Sequence, residues 1–352
     1  MIMTLTHFEG RALSGSCITN IFIGCDTMQQ VNNASSTTST QGSVISVIAA
    51  DSALTWVSPA ESDVFTISQD ATLPEIVFEF RAHVTGDYTW SWVIEWEAKA
   101  SGLRERARAG SVLQAFSESG SFTRGDKAWS VDLSGKVLGG KLTVTVVVGQ
   151  DTLVRTVVIQ GQNPSRDSVA AYVATLEDLS GFEKLLEQET RSKHFIEFDN
   201  APIVAFDKGY GITQMTNPAP SYEQVWNWKA NILAGSSIYK DKVRIAKKYL
   251  GQAGRTYTDD QLQHEVFSRW NDGTYHEWDT ATTAWVRRKN TLCDTLTGNV
   301  GWSTDKDKNK DKTAAELRER DKDTYARGAQ GQSDDHPWEY KGVCYADHVL
   351  SK

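Results

Sequence analysis

What the sequence lacks narrows it first. Its 352 residues hold four cysteines, Cys17, Cys25, Cys293 and Cys344. None stands in a CxxC pair or beside a histidine cluster, so a metal centre is disfavoured and no cofactor is expected. Cys293 and Cys344 fall in one C-terminal region; they would pair in an oxidising compartment or stand as two separate thiols. Positive charge is in deficit, with 37 Lys and Arg against 45 Asp and Glu and a net charge of -8. That balance offers no basic stripe for nucleic acid. No apolar run approaches the ~18 residues of a spanning helix, so no membrane span is expected. The stretch from Met1 to Gly15 lacks the basic-then-apolar pattern of a secretory leader, and work outside the cytoplasm would need another route.

What is present describes a soluble globular chain, 39% hydrophobic and 23% charged. The length suits two domains of ordinary size. Twelve tryptophans point to large cores or to aromatic-lined grooves of the kind sugars occupy, with core packing the default. Residues 1–42 read as an appendage closing in a polar linker, Asn-Asn-Ala-Ser-Ser-Thr-Thr-Ser-Thr-Gln. Residues 43–162 alternate with period two: Tyr88 to Trp96, then Lys141 to Val148, a turn at Gly149-Gln150-Asp151, and Leu153 to Ile159. Such short strands predict an immunoglobulin-like or fibronectin-like β-sandwich without the inter-sheet cysteine pair.

From residue 163 the period becomes helical. Ser180 with Glu183 reads as a capping box, opening a helix that aligns Phe182, Leu185, Leu186 and Glu189. Ser221 with Gln224 opens a second helix that stops at Gly235. Tyr239, Val243, Ala246 and Leu250 form a third stripe, and Thr258 with Gln261 opens a fourth helix. Residues 163–352 therefore predict a mainly α-helical second domain with a charged C-terminal extension. The run from Asp305 to Asp323 alternates both signs and reads as a solvated loop and exposed helix. The aromatic end, Trp338 to Val349, is expected to pack back on the helices.

Chemistry concentrates in three places. Glu189 ends an apolar stripe, where a carboxylate is costly and burial favours its protonated form, as a general acid requires. Gly209-Tyr210-Gly211-Ile212-Thr213-Gln214 is a turn through which backbone can approach a ligand closely, and Gln214 offers both a donor and an acceptor. Trp270-Asn271-Asp272-Gly273 closes the fourth helix. Each alone is an ordinary turn or helix end.

In this order, with Asn231-Ile232-Leu233-Ala234-Gly235 between them, these segments resemble the goose-type lysozyme and soluble lytic transglycosylase family over residues 165–290. That family shows Glu-Ser, Gly-x-Gly-Leu-Met-Gln, Asn-Ile with Ala-Gly, and Tyr-Asn-x-Gly. Thr190, Thr213 and Trp270 depart from it, standing where Ser, Met and Tyr are usual. The resemblance implies a lysozyme-like fold that cleaves the MurNAc-GlcNAc β-1,4 bond of peptidoglycan glycan strands. It implies Glu189 as acid and then base, Gly209, Tyr210, Gly211 and Gln214 shaping a sugar cleft with Asn231 and Trp270 beside it, and Asn271 near the reacting sugar. Asp207, with Asp199 behind it, is the candidate base should the reaction be inverting hydrolysis. A lytic transglycosylase dispenses with that base, and Asp207 then simply opens the turn. The stretch Trp226 to Ile232 is similar to a subgroup joined to type VI secretion-spike or phage modules. That subgroup implies a toxin delivered without a signal peptide to the periplasm of a target bacterium, with a spike or phage-tail carrier and an immunity protein as partners. A glycan-binding module without turnover is the alternative.

Overall fold

A computed structural model describes residues 54–101 and 110–352. The appendage and linker at 1–42, with Cys17 and Cys25, lie outside the described residues. Leu54–Lys352 belong to one compact unit.

The first part is built by alternation. In β4 (Tyr88–Lys99), Tyr88, Trp90, Trp92, Ile94 and Ala98 are buried while their neighbours face outward. This strand pairs antiparallel with β5 (Val112–Arg124) on one side and β7 (Gly140–Val148) on the other. β8 (Asp151–Gln160) folds back on β7, and β2 (Val64–Thr66) joins β8 in parallel, giving the order β2-β8-β7-β4-β5. A second sheet runs β1 (Thr55–Ser58), β3 (Val77–Arg81), β6 (Ala128–Ser130). The two share one aromatic core in which Phe80 lies 5.5 Å from Trp90 and Phe78 stacks 6.1 Å from Trp129. Each such side chain taken from water contributes roughly 1.5–3 kcal/mol.

That core does not stop at the sheets. Tyr210, Tyr222, Val225 and Trp226 belong to it. Trp226 meets Trp96 edge-on at 5.4 Å, and the Tyr222 hydroxyl donates to the Gly139 carbonyl at 2.6 Å.

The remaining helices are α1 (Arg166–Ala174), α2 (Phe182–Thr190), α3 (Tyr222–Trp226), α4 (Trp228–Leu250), α5 (Asp259–Trp270), α6 (Ala314–Asp321) and α7 (Gly342–Leu350). The capping boxes Ser221–Gln224 and Thr258–Gln261 are both formed. The Ser180 capping box is not formed: α2 starts one residue later, with Gly181 (φ 84°) as its N-cap and no side-chain cap. The helix expected to stop at Gly235 is instead broken at Asn227, whose Oδ1 accepts from Lys229 and Ala230 to start α4. α4 then runs through Gly235, where the lack of a side chain lets Thr213 pack against the helix.

The expectation of a mainly helical region after residue 163 is overturned. Among the described residues the structure is mixed, 30% helical and 28% strand, with several small sheets. After α5 come the hairpin β9 (His276–Asp279) and β10 (Ala284–Arg287) and the three-stranded sheet β11 (Thr291–Cys293), β12 (Val300–Ser303), β13 (Trp338–Tyr340). These strands alternate over only three or four residues each. Packing around Trp302 and Trp338, both fully buried, makes sheet of segments too short to declare themselves by period.

Candidate functional site

Glu189 is the penultimate residue of α2, continuing the face that buries Phe182, Leu185 and Leu186. Arg191, left-handed at φ 58°, ends the helix immediately afterwards. The carboxyl is 1% exposed. Its Oε1 accepts from the Trp270 indole N–H at 3.0 Å and from the Tyr345 hydroxyl at 2.5 Å. An indole can only donate, so Oε1 is an obligate acceptor toward Trp270. Trp270 comes from the last turn of α5 and Tyr345 from the first turns of α7, so three helices fix one oxygen. Where the resembled family has a tyrosine before the asparagine, this chain supplies the indole from that position and a phenol from α7.

α7 itself is pinned. Cys293 of β11 and Cys344 of α7 form a disulfide with Cα atoms 5.3 Å apart, next in sequence to Tyr345. Arg287 grips Asp347 through Nε at 3.0 Å and a second nitrogen at 2.8 Å, and the Tyr275 hydroxyl adds a bond of 2.6 Å. Both guanidinium nitrogens donate to Asp347 Oδ2 and the Tyr275 hydroxyl to Oδ1, so each carboxylate oxygen is engaged.

The Gly209–Gln214 turn lies against the end of α2, since the Thr190 hydroxyl donates to the Ile212 carbonyl at 3.2 Å. Its shape is set from two sides. Asn231, fully buried on α4, accepts from Thr213 N–H at 3.0 Å and from its hydroxyl at 2.7 Å. The Asn231 amide donates to the carbonyls of Tyr210 and Gln224 at 3.1 and 3.0 Å. On the other side His194 accepts from Ile212 N–H at Nδ1, 3.1 Å away, and donates from Nε2 to the Val225 carbonyl at 2.8 Å. Burial drives the His194 pKa down to about 4, so the ring is a neutral brace at ordinary pH. Gly211, with φ 66°, sits so close to this ring that a side chain there would strike it.

The residues proposed from sequence therefore divide. Glu189, Trp270, the 209–214 turn and Asn231 meet. Asn231 is a brace whose hydrogen-bonding capacity goes to the backbone and Thr213. Tyr210 packs into the aromatic core of the front sheets, 5.9 Å from Phe116, with its hydroxyl 3.4 Å from Gln114. Gln214 is buried, and its amide donates to the Gly211 carbonyl at 2.8 Å; Gly209 packs beside it. Asp207 accepts from Gly209 N–H at 3.4 Å within its own turn, and Asp199 does the same for Ala201 at 3.0 Å. Asn271 ends α5 and faces a different space, a cleft described below. Sequence reading missed Tyr345 and His194. A tyrosine 156 positions from its partner and a lone histidine leave no local signal.

Among the described residues no group of three or more His, Cys, Asp or Glu is arranged to hold a metal ion, and no helix is long and apolar enough to cross a membrane. No family model, curated protein or solved structure matches the chain.

Proposed function

We propose that the chain is a peptidoglycan lytic transglycosylase with Glu189 as its acid. The observation that carries this reading is the buried Glu189 carboxyl, one oxygen fixed by Trp270 and Tyr345, beside a glycine turn tied to the same helix end through Thr190. Glu189 gives its proton to the glycosidic oxygen as the bond from C1 breaks. The C6 hydroxyl of the same muramyl residue attacks C1 and returns its proton to the carboxylate, closing a 1,6-anhydro ring without consuming water. At 1% exposure, Glu189 meets a glycan only when a wall of the site parts, and Tyr345 and Trp270 are the contacts that would shift. The resemblance at Trp226 to Ile232 further supports a carrier-delivered toxin acting in the periplasm of a target bacterium, paired with an immunity protein.

The test is digestion of purified peptidoglycan by the full chain and by Glu189→Gln, with soluble products read by mass spectrometry. Anhydro-muropeptides from the wild type alone are expected. Reducing-end products would move the reaction to hydrolysis, and no product from either chain would remove the enzymatic reading.

A further inference from the structure

One residue past Trp270 the chain borders a cleft of about 670 Å³. Its walls are the turn after α5 with Asn271, the segment after β10 with Arg288, and the start of α7 with Lys341 and Gly342. Hydrogen-bond donors are in excess here. α7 begins at Lys341 with no side-chain cap, so its first N–H groups are the orphan donors of a helix N-terminus, at the positive end of its dipole. Asn271 is 8% exposed and its Nδ2 has no hydrogen-bond partner. Of the carboxylates nearby, Glu339 is held by Lys306 and Lys341, and Asp272 points to solvent, 93% exposed, with Lys242 at 3.3 Å. Gly342 and Gly273 face each other so closely that a side chain on either would collide with the other's backbone, which lets the start of α7 seat against the end of α5.

We propose that this cleft binds a carboxylate borne by the glycan, with the N–H groups that open α7 and the Asn271 amide as donors and Arg288 balancing the charge. The inference rests on the glycan-cleaving reading and adds what selects the substrate. Gly342 precedes Tyr345 by three residues, or roughly 4.5 Å of helix rise. A carboxylate docked at the start of α7 is thereby registered against the phenol that holds the acid. The carboxylate belongs either to a muramyl lactyl ether or to a stem peptide attached to it; neutral N-acetylglucosamine polymers carry neither.

The test uses the full chain carrying Glu189→Gln, so that nothing is turned over, titrated by calorimetry with three glycans. These are neutral N-acetylglucosamine oligomers, muramyl glycan stripped of peptide, and muramyl glycan bearing peptide. One of the acidic glycans is expected to bind at least about tenfold tighter than the neutral one, and which of them does so assigns the carboxylate. Adding Arg288→Gln or Arg288→Glu is expected to erase most of that preference while neutral binding and the melting temperature hold. Equal binding of all three glycans, or a loss in the variants shared equally by neutral and acidic ligands, would overturn the proposal. Carboxylate-selective binding with no digestion by the wild type would retain this site and discard the enzymatic reading, so the two failures are separable.

Discussion

His194 offers a quantitative handle on the turn beside Glu189. In the denatured chain its imidazole takes a proton near pH 6.5; in the fold, burial postpones that to about pH 4. Between those values the denatured state binds a proton that the native state refuses, so stability falls as pH is lowered through the window. At roughly 1.4 kcal/mol per pH unit, the whole gap amounts to about 3 kcal/mol. Above pH 6.5 the ring contributes no pH dependence, and below about 4 both states are protonated and the loss is complete. The geometry gives the same direction as burial: Nδ1 accepts from Ile212 N–H, and a proton there would set donor against donor. Urea unfolding followed by tryptophan fluorescence at pH 7.5, 6.5, 5.5 and 4.5 measures the effect, with His194→Gln as the comparison. Carboxylates elsewhere titrate in both proteins, so the difference between the two curves isolates the imidazole. The wild type should lose about 2.5 kcal/mol more than the variant across that range, which stops short of the full loss. Parallel curves would refute the assignment of His194 as a buried neutral brace.

Tyr345→Phe removes one donor from Glu189; it should lower kcat on peptidoglycan about tenfold while costing about 1 kcal/mol of stability, and an unchanged kcat would deny the phenol an orienting role. The disulfide closes a sequence separation of 51 residues. Reduction, or Cys344→Ser, should cost about 4 kcal/mol by loop-closure entropy; a melting temperature indifferent to reductant would show that Arg287 and Asp347 hold α7 without it. Asn231→Ala strands the Thr213 donors and two carbonyls in the interior and should cost about 3 kcal/mol in chemical denaturation, and a loss below about 1 kcal/mol would mean the turn is held by other contacts.

How far the sequence could be read follows from the range of each signal. Period two over nine residues located β4, and capping boxes of four residues located α3 and α5, because those patterns are local. Order along the chain brought Glu189, the glycine turn, Asn231 and Trp270 into one reading, and the fold does assemble them. What stayed hidden is either short or distant. β9 to β13 are too brief to separate from turns. Tyr345 reaches Glu189 only through tertiary packing. Tyr210 reads as a ligand contact because glycines flank it, and nothing in its neighbourhood announces Phe116. The charged run from Asp305 fits a solvated face by composition, yet Asp321 within it is fully buried, accepting from Trp302 at 2.7 Å and paired with Arg320 and His336. Alternating charge describes the average side chain of a segment and conceals the one that turns inward.

The continuity of the aromatic core across residue 163 bears on how this molecule could be cut or grafted. The backbone that shapes the glycine turn leans on Tyr210, and Tyr210 leans on Phe116 of a sheet edge; Trp226, just ahead of α4, does the same against Trp96. A chain begun at Asn163 would present those rings to water as one apolar patch, next to the turn they support. The helices around Glu189 and the front sheets are thus inherited as a unit, and an exchange of the sheet module would succeed only where the incoming edge strand carries a matching aromatic face.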